Sequence, residues 1–155
     1  MRPLLKPLIL FLCLAQPVAA QELRGHGGPV RAIAVAPDGT TAMTGSFDQS
    51  AILWSLSGGT AEAVLRFHEG AVNAVAAVPG LGFATGAEDG RIALWRGAAA
   101  APAEVVEGHR GPVAALAVSA DGRRIASASW DGTARVTTRE GGAAVAFEGH
   151  QGPVN

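Results

Sequence analysis

A hydroxyl, an imidazole and a carboxylate are the parts of a nucleophilic triad, and all three recur together along this 155-residue chain. His26, His68, His109 and His150 are spaced by 42, 41 and 41 residues. Asp48, Asp89 and Asp131 follow at 41 and 42, each with a hydroxyl four residues earlier: Thr44, Thr85 and Ser127. A nucleophile site is built once in a chain, whereas this set is built in every unit, which is how scaffolding behaves. Metal binding by the histidines fits no better. One histidine per unit spreads the imidazoles apart, where zinc needs ligands converging at roughly 2 Å. The chain also has no CxxCH haem motif, no HExxH zinc motif and no Gly-rich phosphate loop leading into a helix. No catalytic residue, metal or cofactor is therefore expected.

Composition narrows the class. The chain is 48% hydrophobic, 16% charged and 5% aromatic, with 21 Gly and 9 Pro. The apolar fraction excludes a disordered chain. The Gly and Pro content disfavours a helical bundle, because both disrupt helix interiors. The formal charge of −1 speaks against nucleic-acid binding through phosphate neutralisation, which needs a basic excess. Short strands joined by turns are the expected elements.

Met1 to Ala20 reads as a secretory signal peptide. Arg2 and Lys6 form a positive n-region and Leu8 to Ala15 an apolar h-region, and Val18-Ala19-Ala20 places small residues before a cut ahead of Gln21. The apolar run is too short for the roughly 20 residues that span a bilayer, so no membrane association is expected after cleavage. The mature chain, 21–155, would carry no Cys and no Lys, and its ten cations are all Arg, facing 13 acidic residues. No disulfide is then possible, even in an oxidising compartment. Arg as the sole cation beside abundant Ala and Gly suggests a high-GC bacterial genome and a periplasmic destination.

Each histidine opens a similar stretch: Gly25-His26-Gly27-Gly28-Pro29-Val30, Phe67-His68-Glu69-Gly70-Ala71-Val72, Gly108-His109-Arg110-Gly111-Pro112-Val113 and Gly149-His150-Gln151-Gly152-Pro153-Val154. Apolar residues follow at steps of three and then two: Val30, Ile33, Val35; Val72, Val75, Ala77; Val113, Leu116, Val118. A period of two broken by one extra residue predicts a strand with a bulge near its start. Turn signals come next, Pro37-Asp38-Gly39, Pro79-Gly80 and Asp121-Gly122. A second strand leads into the tight turns Asp48-Gln49, Asp89-Gly90 and Asp131-Gly132. A third runs through Leu53-Trp54, Leu94-Trp95 and Val136-Thr137, and a short fourth over 63–67, 104–106 and 144–147. Ala98 to Pro102 reads as a loop, and Arg123-Arg124 as a solvated turn.

The Gly-His opening, the Asp-Gly turn, the Trp six residues later and the spacing of about 41 resemble WD40 repeats. The likeness runs over about 25–155. The dipeptide that names the family is missing: Trp54 precedes Ser55, Trp95 precedes Arg96, and the third unit has Thr137 in place of Trp. The resemblance implies an all-β fold of four-stranded antiparallel propeller blades. These are blade 1 at about 25–66, blade 2 at 67–107, blade 3 at 108–148, and the start of a fourth at 149–155. The third unit, lacking Trp, should be less firmly anchored.

The resemblance also implies a structural hydrogen-bond network in each blade, joining the opening His, the turn Asp, a strand hydroxyl and the Trp indole. The networks expected are His26–Asp48–Thr44–Trp54 and His68–Asp89–Thr85–Trp95, with His109–Asp131–Ser127 as a reduced version. A hairpin centred one residue past the Asp would put that hydroxyl opposite the Trp. The other hydroxyl position, two residues before the Asp, is Ser46, Ala87 and Ser129, and it fails in the second unit. Propellers commonly bind partners on the face carrying the turn between second and third strands. Phe47, Glu88 and Trp130, each just before its Asp, should project there, with Arg31, Asn73 and Ala114 near the channel rim. Phe47, Trp130 and Arg31 are of the residue types that anchor interfaces.

Three blades are fewer than the four to eight of a closed propeller. The expectation is an N-terminal portion of a longer polypeptide, or else a short chain that closes a ring by oligomerising. Two functions follow. One is a non-catalytic protein-interaction scaffold exported to the periplasm. The other is the propeller portion of a larger redox protein, such as a fusion to a c-type cytochrome.

Overall fold

The computed structural model describes residues 22–140, 142 and 144–155, and the expected signal peptide, 1–20, lies outside the described residues. Twelve strands follow one another with no helix among the described residues. They are β1 (Val30–Val35), β2 (Thr41–Ser46), β3 (Ser50–Ser55), β4 (Thr60–Arg66), β5 (Val72–Val78), β6 (Gly82–Ala87), β7 (Ile92–Trp95), β8 (Glu104–Val106), β9 (Val113–Val118), β10 (Arg124–Ser129), β11 (Ala134–Thr138) and β12 (Ala144–Phe147). Each consecutive set of four forms one antiparallel meander, giving three four-stranded sheets in sequence order. The opening of a fourth unit reaches back to the third sheet, where the Val154 N–H donates to the Ser129 carbonyl at 3.0 Å.

The local chemistry explains each element. The first strand of every sheet is bulged near its start: the register slips between Val30 and Ala32, Val72 and Ala74, and at Ser129↔Val113. That leaves Arg31, Asn73 and Ala114 as the extra residues, as the interrupted period of two predicts. β4 starts at Thr60 rather than at Ala63. Gly59, at φ 62, lets its N–H return to the Ser55 carbonyl at 2.9 Å, so pairing resumes at once with Thr60 opposite Ser55. Residues 96–103 form a loop, and Arg123 and Arg124 are exposed.

The register of the second hairpin corrects one expectation. Thr44 pairs with Ile52, Thr85 with Ala93 and Ser127 with Arg135, so each hairpin is centred on the Asp itself. Three residues make the turn and the third is left-handed: Gln49 (φ 66), Gly90 (φ 76), Gly132 (φ 84). The residue directly opposite Trp54 is therefore Ala42, and opposite Trp95 it is Phe83. The hydroxyl becomes the diagonal neighbour of the Trp on the same face, still within reach of a long side chain.

The sheets bury their faces on one another. Met43, Leu53 and Leu65 of the first sheet pack on Phe83, Ala93 and Trp95 of the second. The opposite face of the second, with Ala84, Ile92 and Leu94, packs on Val113 and Ile125 of the third. Close approach needs glycine at one matched position. A Cβ at Gly45 would lie 2.6 Å from Val72 Cγ1, and one at Gly86 2.6 Å from Val113 Cγ1. β3 and β7 are buried almost throughout, whereas every residue of β11 is only half-buried.

Candidate functional site

The structure brings His26, Asp48, Thr44 and Trp54 together. His26 Nδ1 lies 3.0 Å from Asp48 Oδ2 and Nε2 lies 2.7 Å from Thr44 Oγ1, which accepts the Trp54 indole N–H at 2.8 Å. The second sheet repeats this with His68, Asp89, Thr85 and Trp95 at 3.0, 2.9 and 2.9 Å. In the third, His109 meets Asp131 at 2.9 Å and Ser127 at 2.8 Å, and no indole completes the chain. One proton direction satisfies every member. The indole donates to the hydroxyl, the hydroxyl to Nε2, and Nδ1–H to the carboxylate. In that direction the proton of each histidine sits on Nδ1 and Nε2 is the acceptor.

This is the connectivity of a nucleophile, base and acid, but no substrate can reach it. Thr85 is 0% exposed and Ser127 5% exposed. The lone pairs of Thr44 and Thr85 already take an indole proton. The arrangement ties two strands, the turn between them and the opening loop of one sheet together, and a relay of this kind does no acyl-transfer chemistry without an open position beside the nucleophile.

Other residues join the relay that spacing alone had not singled out. Two positions after the Asp, Ser50 Oγ lies 2.5 Å from Asp48 Oδ1, and Thr133 Oγ1 lies 2.7 Å from Asp131 Oδ1. In the second sheet Arg91 takes that place and grips Asp89 through Nε and Nη2 at 3.1 and 3.0 Å. The signal was a hydrogen-bonding residue two after every turn Asp. The hydroxyl two before the Asp also has work, though not with the indole. Ser46 and Ser129 each donate to an opening-loop carbonyl and accept the Asp backbone N–H. The second sheet solves the same junction differently. Ala71 stands where Pro29 and Pro112 stand, so it has an N–H to satisfy, and Glu88 Oε2 accepts it at 3.2 Å. Glu88 is exposed at its turn, with one carboxylate oxygen, Oε2, turned back to its own loop.

Electrostatics follow from these contacts. Desolvation raises the Asp48 carboxyl, but hydrogen bonds from Ser50, Gly27 and His26 outweigh it and hold the group well below the usual range. Asp131 behaves alike, with Thr133, Arg110 and His109 as donors. For Asp89, desolvation is overcome by the Arg91 and Glu69 N–H groups and by His68. Burial pushes His68 down, and the charge of Asp89 only partly restores it. A depressed folded value means the unfolded chain binds more protons, so stability is present above the unfolded value and is lost as the pH falls. The unfolding free energy should be flat above about pH 7, fall through about 6.5 as His68 loses its advantage, and fall again below about 4 with the aspartates. Urea titrations across this range check it. A constant midpoint between pH 7.5 and 5.5 would contradict the His68 part.

At the end of the blades carrying the Asp turns, Phe47 and Trp130 stand 46% and 48% exposed. The Arg31 guanidinium lies 5.3 Å from the Phe47 ring centroid. The Trp130 indole donates to Asn155 Oδ1 at 2.7 Å. Asn73 is half-buried at its bulge. Among the described residues, no cluster of three or more His, Cys, Asp or Glu is arranged to hold a metal ion.

The WD40 family model, described as WD domain, G-beta repeat, matches residues 18–55, 59–96 and 101–137. The chain belongs to the WD40 repeat family. The second and third matched stretches each run from the last strand of one sheet through the third strand of the next, so the WD40 sequence repeat straddles two blades. Among curated relatives, telomerase protein component 1 of Rattus norvegicus is 29% identical over 142 residues, covering 88% of this chain and 5% of that protein. Methylosome protein WDR77 of Xenopus laevis is 40% identical over 72 residues, 45% of this chain and 22% of that protein. The solved RRP9 WD40 repeats superpose with a TM-score of 0.78 at 26% identity, covering 84% of this chain and 42% of that one. The chain thus spans a small part of these curated relatives and under half of that propeller. WD40 repeats generally serve as protein-binding scaffolds without chemistry of their own, and the buried relays here are in keeping with that.

Proposed function

We propose that this WD40 chain is a protein-interaction scaffold that receives its partner on the end of the blades bearing the Asp turns. The observation that carries the reading is the exposure of Phe47, braced by Arg31, on the first blade and of Trp130 on the third, at the same end of the strands. Exposed aromatics with arginine are the residue types that dominate binding energy at interfaces. Asn73 and the outer part of Glu88 complete that rim as polar contacts. The proposal extends to export, on the strength of the n-region, h-region and small-residue junction of 1–20, with the periplasm as destination. The redox alternative finds no support within the chain, whose one cysteine is Cys13.

The outer faces of the set also call for cover. Ile33 is 63% exposed on the first sheet and Phe147 55% exposed on the third. Neighbouring blades, from one longer polypeptide or from another copy, would bury both. The test of the binding rim uses the partner captured from the source organism. Phe47→Ala and Trp130→Ala should each weaken its binding about tenfold or more with unchanged melting curves. Unaltered affinity in both variants would move the interface elsewhere.

A further inference from the structure

At the other end of the strands, the three repeats act as internal controls for one another. The turn between the first two strands of blade 3, Ala120-Asp121-Gly122-Arg123, is seated on blade 2. Gly122 is buried, and any side chain there would overlap the Pro79 carbonyl. The matching turn of blade 2 is one residue shorter, Pro79-Gly80-Leu81, with no counterpart to Asp121. Its Gly80 is exposed, and a Cβ there would meet nothing within 4 Å. The deletion withdraws the turn from blade 1 and leaves a cavity of about 460 Å³ between blades 1 and 2. No such loss occurs between blades 2 and 3, so the opening belongs to this sequence and not to the repeat in general.

The cavity has a hydrophobic floor and an acidic rim. Leu53, Val78 and Phe83 lie beneath it with Leu81 at its side, while Asp38 and Glu62 stand at the edge. No basic residue lines it. Glu62 is placed there by a second irregularity. The β3–β4 register slips between Leu53↔Ala63 and Trp54↔Ala61, so Glu62 is the extra residue of a bulge, a device that re-aims a side chain. Asp38 spends only Oδ1 on its turn, accepting the Thr40 N–H and hydroxyl at 3.0 and 2.9 Å. Those bonds hold its carboxyl below the usual value, so it is charged at neutral pH. An apolar recess of this size with a few convergent polar groups is the form of a ligand pocket.

We propose that the cleft between blades 1 and 2 binds an extended peptide segment of a partner protein, one bulky aliphatic side chain in the recess and arginine or lysine on either side of it. The apolar floor takes the aliphatic group. Glu62 and Asp38, with no basic residue in the lining to neutralise them, take the flanking cations. The site lies at the opposite end of the strands from Phe47 and Trp130, and it stands or falls independently of the binding rim described above.

The test is titration of the full chain, labelled with ¹⁵N, with acetyl-Ala-Arg-Leu-Arg-Ala-amide. Its twins carry Glu in place of both Arg, or Ala in place of Leu. The first peptide is expected to shift the amides of Leu81, Gly82 and Gly97, and both twins to bind about fivefold more weakly or not at all. Glu62→Gln should lower affinity for the Arg peptide by a few-fold, and Glu62→Arg should reverse the preference toward the Glu twin. Glu62 is exposed on an edge strand, so both variants should keep the native melting curve. Absence of binding, equal binding of the Glu twin, or shifts confined to the Phe47 and Trp130 rim would each overturn the proposal. Trp130→Ala should leave this titration unchanged, which separates its failure from failure of the rim.

Discussion

Trp95→Ala should lower the unfolding free energy by about 3–5 kcal/mol. Trp95 is 1% exposed and sits where two blades meet, beside Phe83, Ala93, Met43 and Leu53. It meets Phe67 edge-on, with ring centroids 6.3 Å apart and planes at 82°. Truncation would remove a bicyclic ring from a junction that cannot collapse, because four hydrogen-bonded strands on each side fix its walls. It would also strip Thr85 of the indole N–H. Trp95→Phe separates the two effects. It keeps much of the packing and loses the donor, so its cost should be about 1–3 kcal/mol. Urea unfolding followed by circular dichroism measures both. A loss under about 1 kcal/mol for the Ala variant would mean that blades 1 and 2 are not held through this ring.

Much of this was legible in the sequence because the repeats test one another. A landmark that returns after 41 or 42 residues must meet the same demand each time. The Asp, the hydroxyl four before it and the opening His recur together, and the likeness to WD40 repeats implied that they form one network. The bulges were readable because Val30, Ile33 and Val35 break a strict alternation once. What escaped was anything that depended on a register of one residue. Centring the hairpin on Asp48 or on Gln49 moves the partner of Thr44 from Ile52 to Trp54, and no residue type in the turn decides between them when Gln49 supplies the left-handed position. Variation between repeats was also hard to interpret alone. Ala71 in place of proline looks neutral until its N–H must find Glu88. The short Pro79-Gly80 turn reads only as a turn signal until the gap behind it is seen.

The second large effect concerns that same middle blade. Asp89→Ala should cost about 2–4 kcal/mol, and more than Asp131→Ala. Asp89 accepts from the N–H groups of Glu69 and Arg91 at 3.1 and 3.0 Å, from His68 Nδ1 at 3.0 Å and from the Arg91 guanidinium. Removing it leaves a buried imidazole without its acceptor and takes from the Arg91 guanidinium its nearer counter-charge. Arg91 is a quarter exposed and also lies 3.2 Å from Glu69, so water and that carboxylate recover part of the loss, which sets the upper limit. At Asp131 the corresponding neighbour is the neutral Thr133 hydroxyl, which can turn to other acceptors or to water. Asp89→Asn should fall between wild type and Asp89→Ala. Its amide keeps one oxygen to accept, yet its NH₂ must face one of the donors that the second carboxylate oxygen had served. Thermal and urea unfolding of the three variants, measured at neutral pH where the carboxylate is ionised, read the order directly. Equal losses at Asp89 and Asp131 would show that Arg91 adds nothing to the relay. No loss at Asp89 would show that the relay does not hold the blade.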